Sequence, residues 1–105
     1  MSKPVSPPCE RAIKRLGAQI SRARRRRRWS QRDLAEQMGA SVSTVRRMES
    51  GDPGIALHHL VAALSAFGEL AQLNALLDTP SDAIGLLMQD GALPERIRVR
   101  TSHGC

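Results

Sequence analysis

"QRDLAEQMGASVSTVRRMESG", Gln31 to Gly51, is the stretch whose reading decides the fold. Leu34, Ala35 and Met38 fall on one side of a helix, Gly39 follows where the chain must turn, and Val45 and Met48 share one side of a second helix. Ser30 with Asp33 three residues later has capping-box spacing, and Ser41 can cap the helix after the turn. These signals predict two short helices, about 30–38 and 42–49, joined by a tight turn. A small residue at Ala35 lets the helices cross closely, while Val45 and Met48 fill the wedge between them.

Upstream, Ile13, Leu16, Ile20, then Ala23/Arg24 and Arg27 recur at steps of three and four, which predicts a first helix from Cys9 or Glu10 with one face apolar until its last turns. It runs into five consecutive arginines, Arg24 to Arg28. Successive helical residues are about 100° apart, so a helix continuing through this run cannot expose all five side chains. The apolar stripe points Arg24 inward and leaves Arg25, Arg26, Arg27 and Arg28 for solvent or phosphates. Trp29, between two helices, reads as a core residue rather than a base-stacking one. Residues 1–8 hold three prolines and are expected to be a disordered tail.

Downstream, "ESGDPG" ends the 42–49 helix. Leu57, Leu60, Val61, Leu64 and Phe67 make an amphipathic fourth helix closed by Gly68, and a fifth carries Leu70, Leu73, Leu76 and Leu77. Thr79-Pro80-Ser81-Asp82 can start a sixth with Ile84, Leu87 and Met88, before the basic tail "LPERIRVRTSHGC". The expected architecture is all-α, five to six short helices, with a helix-turn-helix domain over 9–78 and a C-terminal helix and basic tail over 79–105.

Composition sets the class. The 105 residues suffice for one small core, and with only Trp29 and Phe67 as aromatics that core must be aliphatic. Residues 1–51 carry 13 Lys/Arg against 4 Asp/Glu, whereas residues 52–105 carry 3 against 6. The N-terminal half should therefore seek polyanions, nucleic acid above all; the plainer reading is a solvated basic face. No long apolar segment or signal-peptide pattern is present, so a soluble, cytoplasmic protein with no membrane partner is expected. Cys9 and Cys105, in opposite tails without CxxC spacing, predict no structural disulfide or zinc site. His58 and His59 are adjacent and cannot share a metal on one helix face. With no nucleophile–base pair, phosphate-cradling loop or paired carboxylates, no enzyme activity, cofactor or metal is expected.

Leu34, Ala35, Gly39, Val45, Met48, Glu49 and Gly51, in this register, resemble the helix-turn-helix of XRE/Cro-type repressors, a lambda-repressor-like fold. The resemblance implies that Arg24, seven residues before Gln31, forms a structural ion pair with Glu49. It implies a phosphate contact for Gln31, base contacts for Val42, Ser43 and Arg47, and backbone-edge positions for Ser41, Thr44 and Arg46, with Arg25 and Arg28 as further DNA contacts. Arg47 is the one long bidentate donor among the base readers and suits guanine, whereas Val42 could meet only a thymine methyl. "GDPGIALHHLVAALSAFGEL" and "DAIGLLMQDGALPERIRVR" resemble HipB-like antitoxins, which implies repression of its own operon in the bacterial nucleoid and a HipA-like kinase toxin as partner. One recognition helix reads too few base pairs for specificity, and the leucines beyond the fourth helix need a partner surface, so a homodimer on an inverted-repeat operator is expected. Ala56 departs from those relatives, which often place a capping Ser or Thr there. The competing classes are a protein-interaction module acting mainly through toxin binding, a general XRE-type regulator without a toxin, and an arginine-rich RNA binder using Arg22 to Arg28.

Overall fold

The structure, a computed structural model, describes residues 4–78. Five helices and no strand occur among them: α1 (Pro7–Arg26), α2 (Gln31–Met38), α3 (Val42–Glu49), α4 (Leu57–Phe67) and α5 (Leu70–Asn74). The expected sixth helix and basic tail lie outside the described residues. No described helix is long and apolar enough to cross a membrane.

α1 starts at Pro7, inside the stretch expected to be a tail. Prolines are compatible with a first turn, where their missing N–H has no helical acceptor and their φ is already helical. Glu10 in the first turn and Arg24, Arg25 and Arg26 in the last complement the helix dipole. The helix then stops inside the arginine run, with Arg28 in the left-handed region at φ 59° and Trp29 N–H returning to Arg24 O at 3.2 Å. The run is therefore partly helix and partly turn, which frees most of its side chains for solvent.

Ser30 and Asp33 form a reciprocal capping box, with Asp33 N–H on Ser30 Oγ at 3.0 Å and Ser30 N–H on Asp33 Oδ2 at 2.8 Å. Gly39, at φ 69°, makes the turn into α3, where Ser41 Oγ accepts Thr44 N–H at 3.1 Å. α4 has no such cap, because Ala56 occupies the position. α5 ends at Asn74, so Leu76 and Leu77 lie in the following turn and are exposed.

Ile20, Leu34, Ala35, Val45, Met48, Ala63 and Phe67 form the core, edged by Leu16, Ala23, Trp29, Met38, Val42, Ile55 and Leu60. α2 packs against α3 and α4, and α1 lies across α3. The α1–α3 crossing is very close: a Cβ on Gly17 would stand 2.7 Å from the carbonyl oxygens of both Met48 and Glu49. At Gly51, φ 81°, a Cβ would stand 2.7 Å from Lys14 Cα. Two glycines thus set how deeply α1 seats on the end of α3.

Trp29 stacks on Phe67 with centroids 5.9 Å apart, consistent with a core-facing role. Arg27, expected to be free, is tied down instead: its Nη1 and Nη2 donate to Ala23 O at 2.9 Å and Phe67 O at 3.0 Å, and its guanidinium lies 4.7 Å from the Phe67 ring centroid. The last carbonyls of α4 attract a cation, and the ring face adds a cation–π contact. Cys9 is buried and disulfide-bonded, contrary to expectation.

Candidate nucleic-acid interface

α3 buries Val45 and Met48 and holds Val42 half-buried, so Ser43, Arg46 and Arg47 are left on its exposed side. At about 100° per residue, Ser43 stands nearly opposite the buried pair, with Arg46 and Arg47 about 50° to either side of that direction. The amphipathic pattern that seats α3 therefore also presents these side chains outward. Val42, expected to touch a base, packs against the core cluster and has only part of its surface to offer.

The start of each of these helices offers unpaired backbone donors. In α2 the Ser30 side chain and carbonyl take the N–H groups of Asp33 and Leu34, while those of Gln31 and Arg32 have no partner among the described residues. In α3 Ser41 likewise takes Thr44 N–H and Val45 N–H, leaving Val42 and Ser43. Such N–H pairs, at the positive end of the helix dipole, suit phosphate oxygens.

Beneath this surface runs a polar network. Arg24 meets Glu49 through Nε–Oε2 at 2.7 Å and Nη2–Oε1 at 3.2 Å, and its Nη1 donates to Trp29 O at 2.9 Å. The two side chains are 12% and 7% exposed, so the pair is well removed from water. Gln31 Nε2 also donates to Glu49 Oε1, at 3.1 Å, and Gln31 Oε1 accepts Arg46 Nε at 3.4 Å. Arg24, Glu49, Gln31 and Arg46 thus link α1, α2 and α3. The Gln31 amide is engaged from both ends, with one Nε2–H still open beside the backbone N–H groups of this helix start.

Arg47 Nε donates to Asp52 Oδ2 at 2.8 Å, a partner that the spacing of residue types had not revealed. Asp52 Oδ1 accepts Gly54 N–H at 2.7 Å, and that bond, followed by the Arg47 guanidinium, holds the Asp52 carboxyl below its usual pKa. Arg25 is exposed on the last turn of α1, with Nε on Ser21 O at 3.3 Å, and Arg28 is exposed just beyond it. Neither has a hydrogen bond to α3. Thr44 is half-buried with its hydroxyl 3.0 Å from that of Ser41. No cluster of His, Cys, Asp and Glu able to hold a metal occurs among the described residues, and His58 and His59 only pack ring to ring.

Residues 15–78 match the family described as helix-turn-helix domain. The match covers more than half of the chain and includes α2, α3 and the part of α1 that carries Arg24 and Arg25. No curated protein and no solved structure matches the chain.

Proposed function

The chain belongs to the helix-turn-helix domain family, and from that premise we propose that it is a sequence-specific transcriptional repressor of the XRE/Cro type, binding as a homodimer to an inverted-repeat operator. It carries out no catalytic step and works on nucleoid DNA in the cytoplasm. The observation that carries this reading is the outward placement of Ser43 and Arg47 on α3, beside two helix starts whose first N–H groups have no partner among the described residues. Phosphate contacts from those N–H groups and from Arg25 and Arg28 position the protein; Arg47 and Ser43 read base edges. One α3 spans too few base pairs for useful specificity, which is the physical reason for a dimer.

Selection of binding sites from a random duplex library tests this. The expected product is a palindrome with half-sites about 10 base pairs apart, centre to centre. Equal recovery of all duplexes, or preferential capture of single-stranded RNA, would overturn it.

A second reading, the antitoxin of a HipA-like kinase, is favoured by the exposed Leu57, Leu76 and Leu77, which offer apolar surface away from the core. Co-expression with the kinase encoded beside this chain, if there is one, tests it: a stable complex supports the antitoxin role, and its absence leaves a general XRE-type regulator.

A further inference from the structure

We infer that Asp52 is a positioning residue that fixes the Arg47 guanidinium for base recognition. The inference rests on the DNA-binding reading above. It adds a residue outside the helix-turn-helix proper, in the loop after α3.

Both oxygens of the Asp52 carboxylate are committed. Oδ1 is held by Gly54 N–H at 2.7 Å, so the carboxylate is set by a backbone turn; Oδ2 takes Arg47 Nε at 2.8 Å. The backbone closes the same unit, with Asp52 N–H on Arg47 O at 3.1 Å and Ser50 Oγ–H on the same oxygen at 2.8 Å. The carboxylate is therefore a fixed anchor.

The anchor engages the guanidinium at Nε. Nη1 and Nη2, at the far end, have no hydrogen-bond partner among the described residues, and the Arg47 side chain is 53% exposed. Those two nitrogens form the fork that matches O6 and N7 of guanine. An unrestrained arginine loses the freedom of its long side chain when it docks on a base, and it can meet a phosphate equally well. Held by Asp52, Arg47 has already lost part of that freedom. The negative charge beside it also disfavours a nearby phosphate, which turns the fork toward base edges. The device thus exchanges some general DNA affinity for selectivity.

The sign of that exchange separates this role from two others. A plain acidic repellent, once neutralised, would tighten binding equally on all sequences. A lock that withholds Arg47 would, once opened, raise selectivity. An anchor, once removed, lowers selectivity while binding to random duplex stays equal or tightens.

The test uses the full chain and the Asp52→Asn variant, titrated at one salt concentration on the selected operator, its single-base-pair variants and random duplex. Asparagine keeps an oxygen for Gly54 N–H and presents an amide where Arg47 needs a carboxylate. Equal melting temperatures would show that the loop is intact; if they differ, the comparison is made with Asp52→Glu, which retains the carboxylate and should recover part of the selectivity. Discrimination at one symmetric G·C pair should fall about threefold to tenfold, a fraction of what a full bidentate arginine contact supplies. In an Arg47→Ala background, Asp52→Asn should change selectivity no further. Unchanged or increased discrimination in Asp52→Asn, with the wild type still selective, would overturn the inference alone. A wild type with no preference among duplexes would overturn the DNA reading as well.

Discussion

Arg24 forks onto Glu49 with Nε–Oε2 at 2.7 Å and Nη2–Oε1 at 3.2 Å, joining the last turn of α1 to the last residue of α3. Both side chains are largely removed from water, so deleting one leaves a desolvated charge on the other. Arg24→Ala should lower stability by roughly 3 to 5 kcal/mol in denaturant titration, the range for breaking a buried pair. Arg26→Ala, at an exposed neighbour, should change it by less than about 0.5 kcal/mol. Similar midpoints for the two variants would refute a structural role for the pair.

Gly17 should tolerate no side chain. A methyl there meets the carbonyl oxygens of Met48 and Glu49 at 2.7 Å, and these are backbone atoms at the end of α3 that cannot rotate aside. Although alanine is the better helix former, Gly17→Ala should destabilise by about 1 to 3 kcal/mol, the usual cost of overpacking. It should also displace Glu49, and with it Gln31, so DNA binding should weaken. A gain in melting temperature would show that α1 does not seat on α3 this closely.

Arg28 occupies the left-handed region at φ 59°, where a side chain is strained and glycine is not. Arg28→Gly should raise stability by several tenths of a kcal/mol to about 1 kcal/mol. The same change removes a cation from the proposed phosphate surface, so binding to operator and random DNA should weaken alike and with a shallower salt dependence. Thermal melts and salt titrations of one variant thus read two separate consequences.

Asp52 carries a pH prediction. Its folded pKa lies below the reference 3.8, first through the Gly54 N–H and then through Arg47. A depressed carboxylate pKa contributes stability above the unfolded value and loses it as the pH falls through the folded one. The Gly54 amide shift should therefore titrate with a midpoint below 3.8 in NMR spectra. A midpoint above that value would mean the turn and the Arg47 contact are absent in solution.

Much of this arrangement is legible in the residues, for local reasons. Ser30 with Asp33, Gly39 and Ser41 mark helix ends through chemistry within a few positions, and Leu34, Ala35, Val45 and Met48 mark the core by periodicity. Arg24 stood out because the stripe of Ile13, Leu16 and Ile20 runs into it, and its partner came from the family resemblance. What escaped sequence reading depends on where distant segments meet. Nothing about a glycine in mid-helix announces that α3 will lie against Gly17, and Arg27 finds Phe67 O across 40 positions. Arg47 and Asp52 are close in sequence, yet whether they meet depends on the path of the loop, which residue types alone leave open. The prolines at the start of α1 point to a tail by composition, yet the first turn of a helix accommodates them.

The account stands or falls on Arg47 as the base reader of an outward-facing α3. The most direct measurement is an anisotropy titration of the wild type and Arg47→Ala on the selected operator, each of its single-base-pair variants and random duplex, at one fixed salt concentration. The account predicts that Arg47→Ala loses roughly 1 to 3 kcal/mol on the operator and relaxes selectivity at one symmetric G·C pair, with binding to random duplex nearly unchanged. An equal loss on every sequence would contradict it, placing Arg47 on a phosphate and the reading of sequence elsewhere.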